Sequence, residues 1–366
     1  MPILLLAFAG VGLVNLCFYF AFFKFSFSKE EGTRTNNPFP VSVVICAKNE
    51  AENLRNFVPY ILGQNHPNFE LVLINDASTD DTLEVIEAFR AQDPRVQIVN
   101  VKNNEAFWAN KKYALTLGIK KAKYPYLLFT DADCRPQSGE WISGMASHFS
   151  RSKSIVLGYG GYFIKKGSFL NKLIRFETLF TAIQYFSYAA WGNPYMGVGR
   201  NLAYTSAQFY EQNGFADHLH VKSGDDDLFV NQAATGQNTA ICTEKTTITR
   251  SLPKSNFKDW FRQKRRHVSV ARHYKLKHRL LLGFFYSSQL LFWILLVICL
   301  FGNFWKIVLG LLIFRILIQG LVFYKASRKL NEPGLWWCFP FLEAFLISSQ
   351  FGIFISNIFS KPSPWK

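Results

Sequence analysis

The sequence predicts an α/β domain of βαβ units held between one N-terminal and about three C-terminal transmembrane helices. Three observations predict it. Apolar residues concentrate at the two ends of the 366-residue chain, short β-rich runs alternate with helix-prone stretches between them, and acidic clusters stand where those runs end. Hydrophobic residues make up 49% of the chain and Phe alone accounts for 37, most of the excess lying in the end segments, so the composition is that of a mixed soluble and membrane protein.

The first element is the charge-free run Ile3 to Phe23, long enough as a helix to cross a hydrocarbon core of ~30 Å. A cleavable signal peptide would need a basic start and a small-residue cleavage site. The run instead ends Phe22-Phe23-Lys24, which reads as an uncleaved anchor over residues 1–24. Three further runs lie in the C-terminal segment, residues 280–359: Leu280 to Phe301, Phe304 to Tyr324 with Lys306 and Arg315, and Leu335 to Phe359 with Glu343. A charge inside a membrane is costly and faces protein or water, so a re-entrant or interfacial helix is the alternative for the last two. Residues 360–366 read as a short tail.

The net charge of +16 invites a nucleic-acid reading, but its placement argues for no nucleic acid. Arg262, Lys264, Arg265, Arg266, Arg272, Lys275, Lys277 and Arg279 precede the second run, and Lys325, Arg328 and Lys329 separate the third from the fourth. Basic residues beside membrane helices mark the cytosolic side and bind anionic lipid head groups, which makes membrane lipids expected partners. With four spans and an outside N-terminus, both basic loops and the soluble domain fall on the cytosolic face, at the cell membrane if the protein is bacterial. Six scattered cysteines without a C-x-x-C pair suggest neither a disulfide framework nor a zinc site.

Within residues 38–279, strands are expected at Val41 to Ala47, Glu70 to Asn75, Val96 to Val101 and Tyr126 to Thr130. Helices are expected at Glu50 to Gly63, Thr79 to Ala91 and about Asn110 to Lys121. That alternation implies βαβ units and a parallel sheet, whose ligands sit at the C-terminal strand ends near a topological switch point. The segments Lys48-Asn49-Glu50, Asp76-Ala77-Ser78-Thr79-Asp80 and Asp131-Ala132-Asp133 follow the first, second and fourth strands. Asp131 and Asp133, two apart in extended backbone, point to one side and offer hard oxygens to Mg²⁺ or Mn²⁺. An Asp-rich turn capping a helix is the plainer alternative. Ser78 or Thr79 reads as a helix N-cap, and Asp76 is placed to accept a hydrogen bond from a base.

The segments VSVVICAKNEAENL, LINDASTDDT, NKKYALTLGI and LLFTDADCRP, in this order, resemble the nucleotide-binding half of family 2 glycosyltransferases, over about residues 41 to 270. The resemblance implies a GT-A fold, a Rossmann-like domain with a mixed sheet, and a nucleotide-sugar donor, usually a UDP-sugar. It implies that Glu50 and Asp76 hold the nucleotide base and that Lys111 lies near the diphosphate, with Asn110 replacing the family's glycine. Asp131 and Asp133 match the metal and diphosphate motif. Where the family usually has Asp before Asp76, this chain has Asn75.

Further along, Gly224-Asp225-Asp226-Asp227-Leu228 gathers three carboxylates. A carboxylate must take the proton of the acceptor hydroxyl in an inverting transfer, and neighbouring like charges raise at least one pKa. The plainer alternative is a helix N-terminus. By resemblance to the family's E-D or G-D-D motif, Asp226 is the first choice for the base and Asp225 the second, the register being ambiguous by one. Gln263 and Arg266 match the Q-x-x-R-W motif of membrane-bound members such as cellulose and hyaluronan synthases, with His267 replacing Trp. Gly197 to Tyr204, with Arg200 and Asn201, resembles the turn and strand that line the acceptor site, and Ser168 to Trp191 reads as an interfacial amphipathic helix or a core helix. His218 and His220 lack a third ligand at a sensible spacing, so a loop is the better reading there. The expected activity is inverting transfer to a lipid or lipid-linked glycan acceptor. The alternatives are a processive polysaccharide synthase and a non-catalytic scaffold that keeps the fold.

Overall fold

The structure is a computed structural model, and it describes residues 2–29, 39–102, 111–221 and 223–360. Asn110 and the tail residues 361–366 lie outside the described residues. In chain order the first half contains α1 (Pro2–Ser26), β1 (Val41–Ala47), α2 (Ala51–Leu62), β2 (Phe69–Asp76), α3 (Thr82–Gln92), β3 (Val96–Val101), α4 (Lys111–Lys121), β4 (Tyr126–Phe129), β5 (Cys134–Pro136), α5 (Trp141–Ala146), β6 (Ile155–Leu157) and β7 (Gly160–Tyr162). The second half contains α6 (Phe169–Ala190), β8 (Leu202–Thr205), α7 (Ser206–Glu211), α8 (Asp227–Ala233), β9 (Thr239–Ile241), β10 (Thr249–Ser251), α9 (Phe257–Val270), α10 (Leu276–Leu300), α11 (Trp305–Lys329) and α12 (Phe339–Phe359). The chain divides into two compact units. A sheet unit takes Glu30–Ile164 and Tyr188–Lys254, and a helical unit takes Met1–Lys29, Lys165–Ser187 and Ser255–Pro362.

In the sheet unit seven strands run in the order β3-β2-β1-β4-β8-β6-β9. β1 pairs in parallel with β2 and β4, whereas β8 is antiparallel to both β4 and β6, so the sheet is mixed. The alternation of side chains along β1 assigns its two faces. Val43 and Ile45 share a core with Leu54 and Val58 of α2 and with Trp141 of α5. Val44 points the other way, toward α4, where a Cβ on Gly118 would stand 3.4 Å from it and 2.3 Å from Ile74. That closeness seats α4 directly on the sheet and carries Lys111, its first residue, to the end of β1. A smaller sheet, β5-β10-β7, joins β10 to β5 antiparallel and to β7 in parallel.

Among the described residues, the helical unit contains four helices long and apolar enough to cross a membrane: Ile3–Ser26, Leu276–Leu300, Trp305–Lys329 and Phe339–Phe359. The charges expected to be awkward there solve each other's problem. Arg315 of α11, 1% exposed in its side chain, meets Glu343 of α12, 0% exposed, at 2.9 Å. The guanidinium also donates to Asn15 of α1 at 3.0 Å, to Gln319 at 2.9 Å and to Gln289 of α10. Tyr19 of α1 donates to Glu343 at 2.9 Å. All four long helices therefore contribute to one buried polar node. In hydrocarbon such groups are tolerated when they face the bundle interior and satisfy one another.

α6 is a packed helix and not the amphipathic interfacial one: fifteen of its 22 residues are buried. Phe176 stacks on Phe323 at 5.2 Å and Phe180 meets Phe285 at 5.8 Å. Arg175 is paired with Glu332 at 2.7 Å, both almost fully buried. Arg175 and Glu177 thus have protein partners, and most of the helix is enclosed by protein.

Removing one member of the central pair leaves the other buried and unpaired, a loss of about 3–5 kcal/mol. Glu343→Leu is therefore expected to unfold well below the unsubstituted protein in a thermal melt in detergent. Arg315→Met/Glu343→Leu together should recover part of that loss; a double variant no more stable than either single one would show that the pair is not the source of the effect.

Candidate active site

The chain leaves β1 toward β2 and β3 on one side and returns to β4 on the other, which makes the β1–β4 boundary the switch point. The loops there are tightly fixed. Asn49 and Ala77, which follow β1 and β2, have φ of 56° and 49°, a left-handed conformation that costs a non-glycine residue energy and persists when its surroundings impose it. Here they do. The Ala77 N–H donates to Val101 O, the Asn49 N–H donates to Ser78 Oγ at 3.0 Å, and the Thr79 N–H donates to Asn49 Oδ1 at 2.8 Å. Asp80 accepts from the Ala51 N–H at 3.3 Å and the Thr82 N–H at 3.0 Å. Ser78 and Thr79 are thus not the N-cap expected from sequence. α3 starts at Thr82 with Asp81 at its N-cap position, and Ser78 and Thr79 instead join the β1 and β2 loops through Asn49.

Glu50 and Asp76 stand at these strand ends. The Glu50 carboxyl is pushed upward in pKa by burial, against a hydrogen bond from Asn53 and with the charges of Asp133 and Asp131 adding to the rise. Asp76, 5% exposed, is raised by burial against the pull of Lys48 and Lys111. Asn75 is committed elsewhere: its amide donates to Asn100 at 2.9 Å and its oxygen accepts from the Ser78 N–H. The Asp-to-Asn difference therefore falls on a residue that builds the turn.

The centre of the site is an ammonium among carboxylates. Lys111 Nζ lies 3.0 Å from Asp131 Oδ1 and 3.0 Å from Asp225 Oδ2. Asp133 accepts from Ser251 Oγ at 2.9 Å. Its carboxyl is raised by burial and by Asp131. Among the described residues, Asp131, Asp133 and Cys134 form the one group of three ligand-type side chains with donor atoms within 4.8 Å of one another. Burial holds the Cys134 thiol well above its ordinary pKa, so it stays protonated and donates to Asp133 at 3.5 Å. The carboxylate pair that remains fits a hard divalent cation that keeps water or phosphate oxygens on its open side. The histidines do not join it: His218 is buried, held to about 4 by burial and by Lys112, and its carbonyl accepts from Lys112 Nζ at 2.7 Å.

Asp226 closes the cleft, which Lys111, Asp131, Gly199, Tyr204 and Asp225 also line. Gly224, with φ of +86°, turns the chain into α8, and Asp226 caps that helix, so the helix-end and cleft readings of this cluster hold together. Its Oδ2 accepts from the Gly199 N–H at 2.6 Å and its Oδ1 from the Asp227 N–H at 2.8 Å. Burial and then the charge of Asp225 push its carboxyl up to about 6. Asp225 shifts the other way, because Lys111 outweighs the effect of burial.

Residues 42–210 match the model of Glycosyl transferase family 2. They form a family 2 glycosyltransferase domain. Among curated relatives, an uncharacterized glycosyltransferase of Haemophilus influenzae is 28% identical over 154 residues, 42% of this chain and 44% of that protein. The Escherichia coli UDP-Glc:alpha-D-GlcNAc-diphosphoundecaprenol beta-1,3-glucosyltransferase is 30% identical over 129 residues, 34% of this chain and 47% of that protein. The chain thus spans less than half the length of these relatives. The structure of a mannosyltransferase from Pyrobaculum calidifontis in complex with GDP-Man and Mn²⁺ superposes with a TM-score of 0.57 at 14% identity, covering 96% of this chain and 97% of that one. The mixed sheet is that of the GT-A fold.

The family 2 domain includes Arg200 and Asn201, which the structure puts to different uses. Arg200 stacks on Tyr162, 4.3 Å from the ring centroid, and the Asp131 and Asp133 charges lie within its electrostatic reach. Asn201 is 0% exposed. Its oxygen accepts from Trp141 Nε1 at 3.0 Å, and its amide donates to Tyr159 O and Thr247 O. This corrects the expectation that Asn201 lines the acceptor site: the side chain is consumed inside the fold. Gln263, Arg266 and His267 lie beyond the matched range, on α9 of the helical unit. That helix is fixed by Glu177, which accepts from Lys264 at 2.9 Å and Trp260 at 3.2 Å, and by Arg265 donating to Asn357 at 2.9 Å. Lys264 and Arg265 are therefore bound to protein groups. Ser251 and Glu177 had no signal as site or anchor residues in the sequence, since each gains its role from a partner 83 to 118 positions away.

Asn201→Ala would strand one buried donor and two buried carbonyls, a cost of at least ~2 kcal/mol. Its denaturant midpoint should fall accordingly while the folded protein keeps its affinity for nucleotide. A raised acceptor KM with unchanged stability would return Asn201 to the acceptor site.

Proposed function

We propose that the protein is an inverting glycosyltransferase that moves a sugar from a nucleotide diphosphate sugar, most simply a UDP-sugar, to a lipid or lipid-linked glycan acceptor at the membrane. The observation that carries this reading is the cleft in which Lys111, Asp131 and Asp225 meet a half-buried carboxyl, Asp226, raised to about 6. The relative that acts on a diphosphoundecaprenol-linked sugar and the four long apolar helices support a lipid-linked acceptor. The basic residues at the ends of the membrane helices support a cytosolic catalytic unit.

In this reading Glu50 and Asp76 hold the nucleotide base. Asp131 and Asp133 would hold Mg²⁺ or Mn²⁺, which supplies charge neutralisation for the departing diphosphate. Lys111 gives a second positive charge to the diphosphate, and Arg200 adds to the positive field. Asp226 accepts the proton of the acceptor hydroxyl as that oxygen bonds to the anomeric carbon and the carbon–oxygen bond to the diphosphate breaks. A single displacement from the opposite face inverts the configuration. The raised pKa of Asp226 suits a base that works near neutral pH, whereas Asp225 is neutralised by Lys111 and serves to hold it. Gln263, Arg266 and His267 contribute to the acceptor side, His267 offering a smaller ring than the family's tryptophan.

The test is detergent-solubilised protein with a panel of nucleotide-sugars, a polyprenyl diphosphate-linked sugar, and Mn²⁺, Mg²⁺ or chelator. Metal-dependent release of a nucleoside diphosphate with one added sugar per acceptor is expected. A ladder of products would indicate polymer synthesis, and a folded protein that turns over no donor would favour a scaffold. Asp226→Asn should lower kcat by about 10²–10⁴ with little change in donor affinity; if Asp225→Asn alone does so, the two roles are exchanged.

The base acts when deprotonated, so the rate should be full above its pKa and fall about tenfold per pH unit below it. With Asp226 near 6, the acid limb of kcat/KM is expected close to pH 6. An acid limb near 4 would exclude Asp226.

A further inference from the structure

The position of Lys111 bears on how the proposed metal site behaves before any donor arrives, and this inference rests on Asp131 and Asp133 being that site. The ammonium is held by two ion pairs of equal length, one to Asp131 and one to Asp225. Its side chain is 23% exposed, between partners at 36% and 15%. Asp133, the other candidate ligand, makes no ion pair with it and instead accepts hydrogen bonds from Ser251 and Cys134. The lysine therefore occupies one carboxylate of the pair and leaves the second alone.

We propose that Lys111 is a built-in counter-cation of the metal site: it balances Asp131 in the empty enzyme and must be displaced from it for a divalent ion to bind. An ammonium and a divalent cation on the same carboxylate repel each other strongly in a partly buried cleft. The lysine stem is flexible and its charge compact, so the ammonium can swing while Asp225 keeps it tethered. A nucleotide diphosphate supplies the anion to which it swings. Metal and nucleotide then bind with positive coupling, and by linkage each strengthens the other equally. The device offsets the charge that Asp131 and Asp225 bring together without a metal, and makes the free ion a poor ligand until the donor is present.

The coupling is read from binding alone. Free Mn²⁺ is titrated by electron paramagnetic resonance against full-length, detergent-solubilised protein, without nucleotide and with uridine or guanosine diphosphate. Without nucleotide, Lys111→Met should bind Mn²⁺ about tenfold more tightly than the unsubstituted protein, and the further gain from nucleotide should shrink. Lys111→Arg, which keeps the charge, should stay close to the unsubstituted protein. If Lys111→Met fails to fold by circular dichroism, Lys111→Gln removes the charge while keeping a hydrogen bond to a carboxylate and should show the same tightening. Neutral variants that bind Mn²⁺ no better than the unsubstituted protein, when that protein does bind Mn²⁺ with nucleotide, overturn the inference and leave the proposed function standing. No Mn²⁺ binding by the unsubstituted protein even with nucleotide overturns the metal reading and the inference with it.

Discussion

One ammonium shared by two carboxylates fixes the chemistry of the cleft. Asp131 comes from the end of β4, Asp225 from the turn before α8, and Lys111 from the first turn of α4, so three separately folded segments converge on a single charge balance. Each would be costly to bury alone. Together they set the contrast that the chemistry needs: Asp225 is held ionised by the lysine, and Asp226 beside it is raised by burial and by that same ionised neighbour. Two adjacent aspartates in one sequence thus acquire opposite tendencies, and the difference comes from what each faces.

The cluster depends in turn on how the strand ends are built. Left-handed residues at Asn49 and Ala77 would relax if the β1 and β2 loops were independent, but hydrogen bonds through Ser78, Thr79 and Asp80 join those loops into one surface. Glu50 and Asp76 are held on that surface at the switch point. Conformational cost is thus concentrated where a ligand would sit, and the continuous hydrogen-bonded strands β1, β2 and β3 provide the rigidity that sustains it.

The helical unit meets the same physical demand in a different medium. Arg315 and Glu343 lie within helices that are apolar enough to cross a membrane, and their enclosure by Asn15, Tyr19, Gln289 and Gln319 satisfies their hydrogen bonds inside the bundle. Two charges that individually argued against spanning helices become, as a pair, the feature that ties four helices together.

Strand and helix alternation is legible in the amino-acid order, because hydrophobic period and turn chemistry are local: β1 and β3 fall on the expected residues, and β2 and β4 within one residue at either end. So are the acidic segments at the strand ends and the four long apolar helices, since each is a contiguous pattern. Pairing, by contrast, arises only in the folded chain. That Lys111 bridges Asp131 and Asp225, that Asn201 is consumed by Trp141, Tyr159 and Thr247, that α6 is a buried helix, and that Arg315 answers Glu343 all depend on distances between residues remote in the chain. Charge, burial and hydrogen-bond satisfaction are set by neighbours in space, and a one-dimensional pattern carries no record of which neighbours those will be.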